Sequence, residues 1–273
     1  MIDSIHQSML GMWGRCQIQF WYRYLEGIIV PPGIAARVGT GVHKGAEYSN
    51  RAKLTQEERE PRDVVVQAAV QGYEDALSSE GLFIPPTQSV SKVKIIGEGK
   101  DQVASLAGLY YDQVDPGIDP AAVERKIAYQ PPDLALPFEG IADWVQRGLE
   151  EWGDIKTSKS RWSQAKADAS IQATLYPRLI EAEYGQRPRH LHFDVLVKTK
   201  EPVHQVVETV RTEDDFDRLV WRAQQMLDQI RAGIFQPADP DSWVCSPEWC
   251  GYWYLCPAIP KRLKTIPKKK EKR

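Results

Sequence analysis

The chain has 273 residues, 42 % hydrophobic and 26 % charged, which is enough apolar content for a sizeable core and too much for disorder to be the expectation. Its net charge of −2 hides an asymmetry: residues 261–273 carry eight Lys or Arg and one Glu, a net of +7, which leaves −9 on residues 1–260. A polyanion-binding surface must therefore be local, either a groove or the basic tail 261–273, unless that tail is only a solvated end.

The N-terminus "MIDSIHQSML" sets Asp3 and His6 where a secretory leader needs an apolar run. No uncharged stretch approaches the roughly 20 residues of a bilayer span. A cytoplasmic protein without a membrane partner is expected. In that reducing compartment four cysteines serve as metal ligands or free thiols rather than disulfides. No internal repeat and no GxxxxGK[ST] phosphate loop appears, which argues against an NTP-driven motor.

Apolar spacing of three and four predicts helices over residues 4–26, 39–52, 61–79 and 100–114, punctuated by "VPPG" and "FIPP". The texture then changes to short β-rich runs at 121–130, 138–147, 150–158, 190–199 and 203–211, with helical period at 163–184 and 212–233. This order predicts an α/β protein with a mixed central sheet flanked by helices. Residues 1–260 are expected to form one domain: a mainly helical part at 1–115, an αβ core at 120–235, and a Cys- and Trp-rich end. The tail 261–273 follows it.

The segments "GIADWVQR" and "EEWGDIKT" are read as an antiparallel hairpin with Gly148 and Leu149 in a two-residue loop. Arg147 then pairs with Glu150, and Asp143 lies opposite Asp154. Alternation puts Asp154 and Lys156 on one face and Ile155 on the other. Two facing carboxylates could share a hard divalent cation, which prefers oxygen ligands; without one they repel. The competing expectation is a solvent-facing hairpin with a surface ion pair.

The halves G-I-A-D143 and D154-I-K156-T resemble the signature of the PD-(D/E)XK phosphodiesterases, in the branch of RecB-like exonucleases. In that branch a G-x-x-x-H helix lies upstream, and "GTGVHKGAE" supplies Gly39 and His43. A Q-x-x-x-Y helix follows, and "SIQATLY" supplies Gln172 and Tyr176. The resemblance covers roughly residues 4–256 and implies a restriction-endonuclease-like fold with a helical N-terminal elaboration.

It implies that His43, Asp143, Asp154 and the main-chain carbonyl of Ile155 bind Mg²⁺ or Mn²⁺. It further implies that Lys156 orients or activates the attacking water, and that Gln172 and Tyr176 hold the nucleic-acid strand. Pro177 follows Tyr176 at once and cannot donate to the carbonyl of Ala173, so the helix is expected to kink or end there. Glu124, in the strand before the hairpin, resembles an acid found near some such sites; a surface role is the alternative.

Cys245, Cys250 and Cys256 cluster in "WVCSPEWCGYWYLC", and Cys16 lies far upstream. One early and three late cysteines resemble the iron-sulfur staple of AddB-type nucleases and their CRISPR-associated relatives. Here C-x4-C stands where the pattern has C-x2-C. Four thiolates suit a 4Fe-4S cluster or zinc. The surrounding Trp and Tyr side chains are expected to pack rather than to stack on bases.

The function these resemblances imply is that of a metal-dependent DNA exonuclease acting in recombination, repair or DNA processing, with DNA as substrate and a helicase or recombination protein as partner. Two alternatives stay open: an inactive nucleic-acid-binding or assembly protein, and a restriction-type endonuclease on the same fold.

Overall fold

The computed structural model describes residues 2–56 and 58–264. It opens with β1 (Ile5–His6), α1 (Gln7–Arg15), α2 (Gln17–Phe20) and a π-helical turn over Trp21–Leu25. Three long helices follow, α3 (Ile34–Gln56), α4 (Arg62–Glu80) and α5 (Lys92–Gln113). The remainder is β2 (Pro120–Tyr129), β3 (Phe138–Gln146), β4 (Glu151–Ser158), α6 (Gln164–Asp168), α7 (Ile171–Tyr184), β5 (His190–Val197), β6 (Val203–Thr209) and α8 (Glu213–Arg231).

Every expected segment is present, with shifted boundaries. The first helical run starts as a strand and breaks at Cys16, whose backbone is extended (φ −165°, ψ 111°). Helix α5 begins at Lys92, well before residue 100, because Ser91 caps it by accepting the Lys94 N–H at 3.3 Å. Helix α7 does not end at Pro177. It runs on to Tyr184 and closes at Gly185 in the left-handed conformation (φ 78°), since Pro177 is buried against the core and packing offsets the lost backbone bond.

The expected mixed sheet flanked by helices is present as two three-stranded sheets, ordered β1-β3-β2 and β4-β5-β6. Each is mixed: β1 runs parallel and β2 antiparallel to β3, while β4 runs parallel and β6 antiparallel to β5. Among the described residues β3 and β4 share no ladder, so the register that set Asp143 opposite Asp154 does not form.

The turn explains why. Gly148 and Leu149 both take left-handed backbone (φ 87° and 60°), closed by Leu149 N–H donating to Gln146 O at 3.1 Å. Arg147 is drawn to Asp119, through backbone (2.7 Å) and carboxylate (3.1 Å). The Glu150 carbonyl accepts instead from Arg189 and His190. Each end of the turn is thus claimed by a different sheet.

Two apolar cores flank the strands. Phe20, Phe138, Trp152, Leu179, Phe193 and Phe216 join both sheets to α1, α7 and α8. Val42, Tyr73, Val103, Leu106, Ile155 and Leu196 join β4 and β5 to the three long helices. Ile155 therefore anchors β4 in the helical side and leaves Asp154 and Lys156 turned the other way, as alternation requires.

Helix α3 lies close against α4 because two glycines face it. A Cβ at Gly41 would stand 2.8 Å from Tyr73 Cβ and 2.9 Å from the Ala69 carbonyl; one at Gly45 would stand 2.7 Å from Ala69 Cβ. Gly41→Val should overpack this contact and cost about 1–3 kcal/mol, more than the helix propensity it gains. The check is the urea midpoint, and an unchanged midpoint would mean that the helices part freely.

No helix among the described residues is long and apolar enough to cross a membrane. The basic tail lies outside the described residues from position 265 onward, after a single 3-10 turn over Lys261–Leu263.

Candidate active site

Helix α3 delivers His43 to the edge of β4. One turn earlier Gly39 brings the helix into van der Waals contact with the strand, its Cβ position 3.4 Å from Thr157 Oγ1. His43 Nδ1 lies 2.8 Å from Asp143 Oδ2 on β3, and Nε2 lies 3.0 Å from the carbonyl oxygen of Ile155. Both partners only accept, so the ring satisfies both only when doubly protonated. Burial opposes that charge, but the Asp143 carboxylate outweighs it and holds the His43 pKa above its ordinary value. Burial likewise pushes Asp143 up, and the His43 ring wins, keeping it low.

Asp154 is buried. Its Oδ1 accepts from Gln172 Nε2 at 3.2 Å. Its Oδ2 lies against the Lys156 ammonium yet makes no well-directed hydrogen bond. Burial raises the Asp154 pKa; Lys156 draws it back, and the nearby Asp143 charge adds to the rise. The two acids thus meet electrostatically although the hairpin ladder is absent: His43 bridges Asp143 to the backbone beside Asp154.

Gln172 and Tyr176 stand four apart on α7, sharing a face. Only Gln172 touches the acids. The Tyr176 hydroxyl donates to the Ile141 carbonyl at 3.0 Å, and its ring lies over Gly140 and stacks on Trp152 (6.0 Å, 21°). Tyr176 therefore flanks the cluster along β3.

The pairs Val123↔Trp144 and Arg125↔Ala142 bracket Glu124, which falls opposite Asp143. Its backbone is left-handed (φ 50°), an uncommon state for a non-glycine residue. Burial, then Asp143 and Glu47, push its pKa up. Glu47 and Lys44, which pair at 2.6 Å, reach the same neighbourhood, and sequence reasoning passed over them. The signal was present in "HKGAE", where Glu47 follows His43 by one helical turn.

The four cysteines line one cavity of about 370 Å³, together with Ile18, Tyr252, Trp253 and Ile259. All are free thiols, with Cys16 and Cys256 buried. Burial, and then Cys16 and Cys256, push the Cys245 thiol up. The chain ends are also tied by Tyr22 donating to the Leu255 carbonyl and Tyr252 to the Ile28 carbonyl, each at 2.8 Å. Tyr22 and Tyr252 pack as expected, stacked at 5.3 Å. Trp243 and Trp249 differ: both are exposed, set edge to face on each other. Among the described residues no three His, Cys, Asp or Glu side chains are gathered closely enough to hold an ion in the arrangement they now adopt.

A family model described as the PD-(D/E)XK nuclease superfamily matches residues 7–257. No curated protein matches the chain. Among solved structures, a "Putative exonuclease" from Eubacterium rectale superposes with a TM-score of 0.61 at 12 % identity, over 95 % of this chain and 90 % of that one. SSO0001 aligns over 94 % and 88 % at 13 % identity with a TM-score of 0.43, too low to support an argument. The first of these likenesses speaks for a shared fold.

Proposed function

The chain belongs to the PD-(D/E)XK nuclease superfamily, and on that premise we propose that it is a metal-dependent DNA nuclease, an exonuclease of the RecB-like type. The observation that carries the reading is the meeting of His43, Asp143, Asp154, Lys156 and Gln172 at one place from four elements, α3, β3, β4 and α7. The Eubacterium rectale structure bears the name of an exonuclease, which agrees with it.

The donors suit Mg²⁺ or Mn²⁺. One imidazole, two carboxylates and the Ile155 carbonyl are mostly hard oxygen ligands, and Asp154 Oδ2 is a buried oxygen lacking a proper donor. The carboxylates now answer to His43 and Lys156, so ion binding would require those pairs to loosen. When held there, the cation would polarise the phosphodiester and lower the pKa of an attacking water.

The remaining roles fall to the chain itself. The Lys156 ammonium sits where it can orient that water and support charge gathering on the phosphate. Gln172 fixes Asp154 and offers a donor toward the DNA strand. Tyr176, locked on Ile141, walls the site beside β3.

End-labelled linear and closed circular DNA, each with and without Mn²⁺, test the assignment. Metal-dependent shortening of the linear form alone is expected. Digestion of the circle as well would make the enzyme an endonuclease, and digestion of neither would leave a binding or assembly protein. The exonuclease reading would place the protein in the cytoplasm, in DNA recombination, repair or processing beside a helicase or recombination partner.

For the cysteines the same reading proposes a 4Fe-4S cluster held by Cys16, Cys245, Cys250 and Cys256, with zinc as the competing occupant. The support is one cavity shared by four unpaired thiols. Cys16→Ser should remove the brown colour and bound iron and loosen the terminal segments, leaving His43 and the acids in place. A colourless protein with stoichiometric zinc would overturn iron in favour of zinc.

A further inference from the structure

Helix α3 lies along β4 and the end of β5 through three contacts. His43 meets the Ile155 carbonyl at 3.0 Å. Gly39 packs toward Thr157, where a Cβ on the glycine would stand 3.4 Å from Oγ1. At the far end the Ala35 carbonyl accepts from Lys198 Nζ at 3.4 Å. Lys198 leaves the end of β5, and its backbone N–H donates to the Ser158 carbonyl at 2.7 Å, which sets it beside Lys159 in the parallel register that pairs Ser158 with Val197. Lys159 is exposed and Lys198 half-buried.

Among the described residues Lys159, Arg161, Lys166 and Lys198 make no ion pair with a carboxylate, although most other cations near the strands do. Burial, with the Lys159 charge adding to it, pushes Lys198 down to about 8. Two neighbouring ammonium groups, one partly desolvated, are costly unless an anion joins them.

Building on the nuclease reading, we propose that Lys159 and Lys198 form a phosphate-holding subsite, which grips the DNA strand beyond the scissile phosphate along the α3–β4 seam. Lys159 stands three residues past Lys156, in the bend that follows β4, and alternation turns it to the α3 side of the sheet, so it meets a phosphate beyond the reacting one and not the scissile group. Ammonium groups bind such phosphates as point charges without regard to base sequence, as a nuclease degrading any strand requires. Lys159 and Lys198 are positioning residues; neither reaches Asp154 or Asp143.

The test measures binding of a labelled single-stranded oligonucleotide across a salt series in EDTA, using the full chain. The K159Q/K198Q double variant should bind roughly tenfold more weakly at moderate salt. Its log Kd against log[salt] slope should flatten by about 0.7 per lost contact. The exposed K159Q alone should show part of the effect without touching the fold, and K198R should retain wild-type slope. An unchanged slope in a folded double variant overturns the subsite, even if wild-type protein digests the same DNA with Mn²⁺. Wild-type protein that binds with the expected slope change yet never digests DNA would instead sink the nuclease reading and leave the phosphate subsite standing.

Discussion

Lys156→Ala and Asp154→Ala should each reduce metal-dependent degradation of linear DNA by about a thousandfold or more, while DNA binding stays largely intact. Asp154 is the buried acid whose outer oxygen lacks a directed donor, so it is the group best placed to bind a cation and the one least replaceable. Loss of a single donor aimed at developing charge already costs on the order of 10²–10³ in rate. Loss of an ion's ligand removes the cation's contribution as well.

Lys156 carries a second consequence. Its ammonium is what draws the Asp154 pKa back from the rise that burial causes, so Lys156→Ala should also favour protonation of Asp154 and weaken metal binding at mildly acidic pH. The measurement is the initial rate of release from end-labelled DNA with saturating Mn²⁺. Undiminished digestion by both purified variants would refute the assignment.

The largest effect on stability should come from Asp115→Ala, far from that cluster. Asp115 is fully buried between α5 and β2. It accepts from Ser49 Oγ (2.6 Å), Tyr110 (3.2 Å), the Lys53 ammonium (3.1 Å) and the Arg59 guanidinium. It thereby ties the end of α3 to the chain entering the sheets. Burial already pulls the Lys53 pKa down against the attraction of Asp115, and removing the acid leaves that ammonium with nothing to offset its desolvation.

Breaking a buried pair from one side costs about 3–5 kcal/mol. Domains have only about 5–15 kcal/mol in total, so the variant should unfold at markedly lower urea. Asp115→Asn keeps the shape and some acceptors and should fall between the two. A loss below about 1 kcal/mol for Asp115→Ala would show that water replaces the carboxylate and that the network does not hold the fold.

Much of the molecule was readable from residue order. Alternation in "GDIKT" assigned Asp154 and Lys156 to one face and Ile155 to the other, because a strand buried on one side must alternate. The helices expected to carry Gly39 with His43 and Gln172 with Tyr176 are α3 and α7, each pair one turn apart. The pairing of β3 with β4 was not readable. A two-residue Gly-Leu loop suggests a tight hairpin, yet the competition that decides it is long-range: Asp119 captures Arg147, and Arg189 and His190 capture Glu150.

Local signals were also too weak at Pro177, where a helix expected to kink or end does not end but runs on to Tyr184, because the tertiary core holds it. Glu47, Lys159 and Lys198 escaped notice for a related reason. Each looks like an ordinary surface charge until the fold shows what stands beside it and, for the two lysines, that none of the described carboxylates does.

The most direct measurement is an anomalous difference map from crystals soaked in saturating Mn²⁺. The arrangement predicts a peak enclosed by the His43 ring, the Asp143 and Asp154 carboxylates and the Ile155 carbonyl, and its loss in Asp154→Ala crystals. A map with manganese bound only elsewhere, and the His43–Asp143 and Lys156–Asp154 pairs still closed, would contradict a metal-dependent centre at this site.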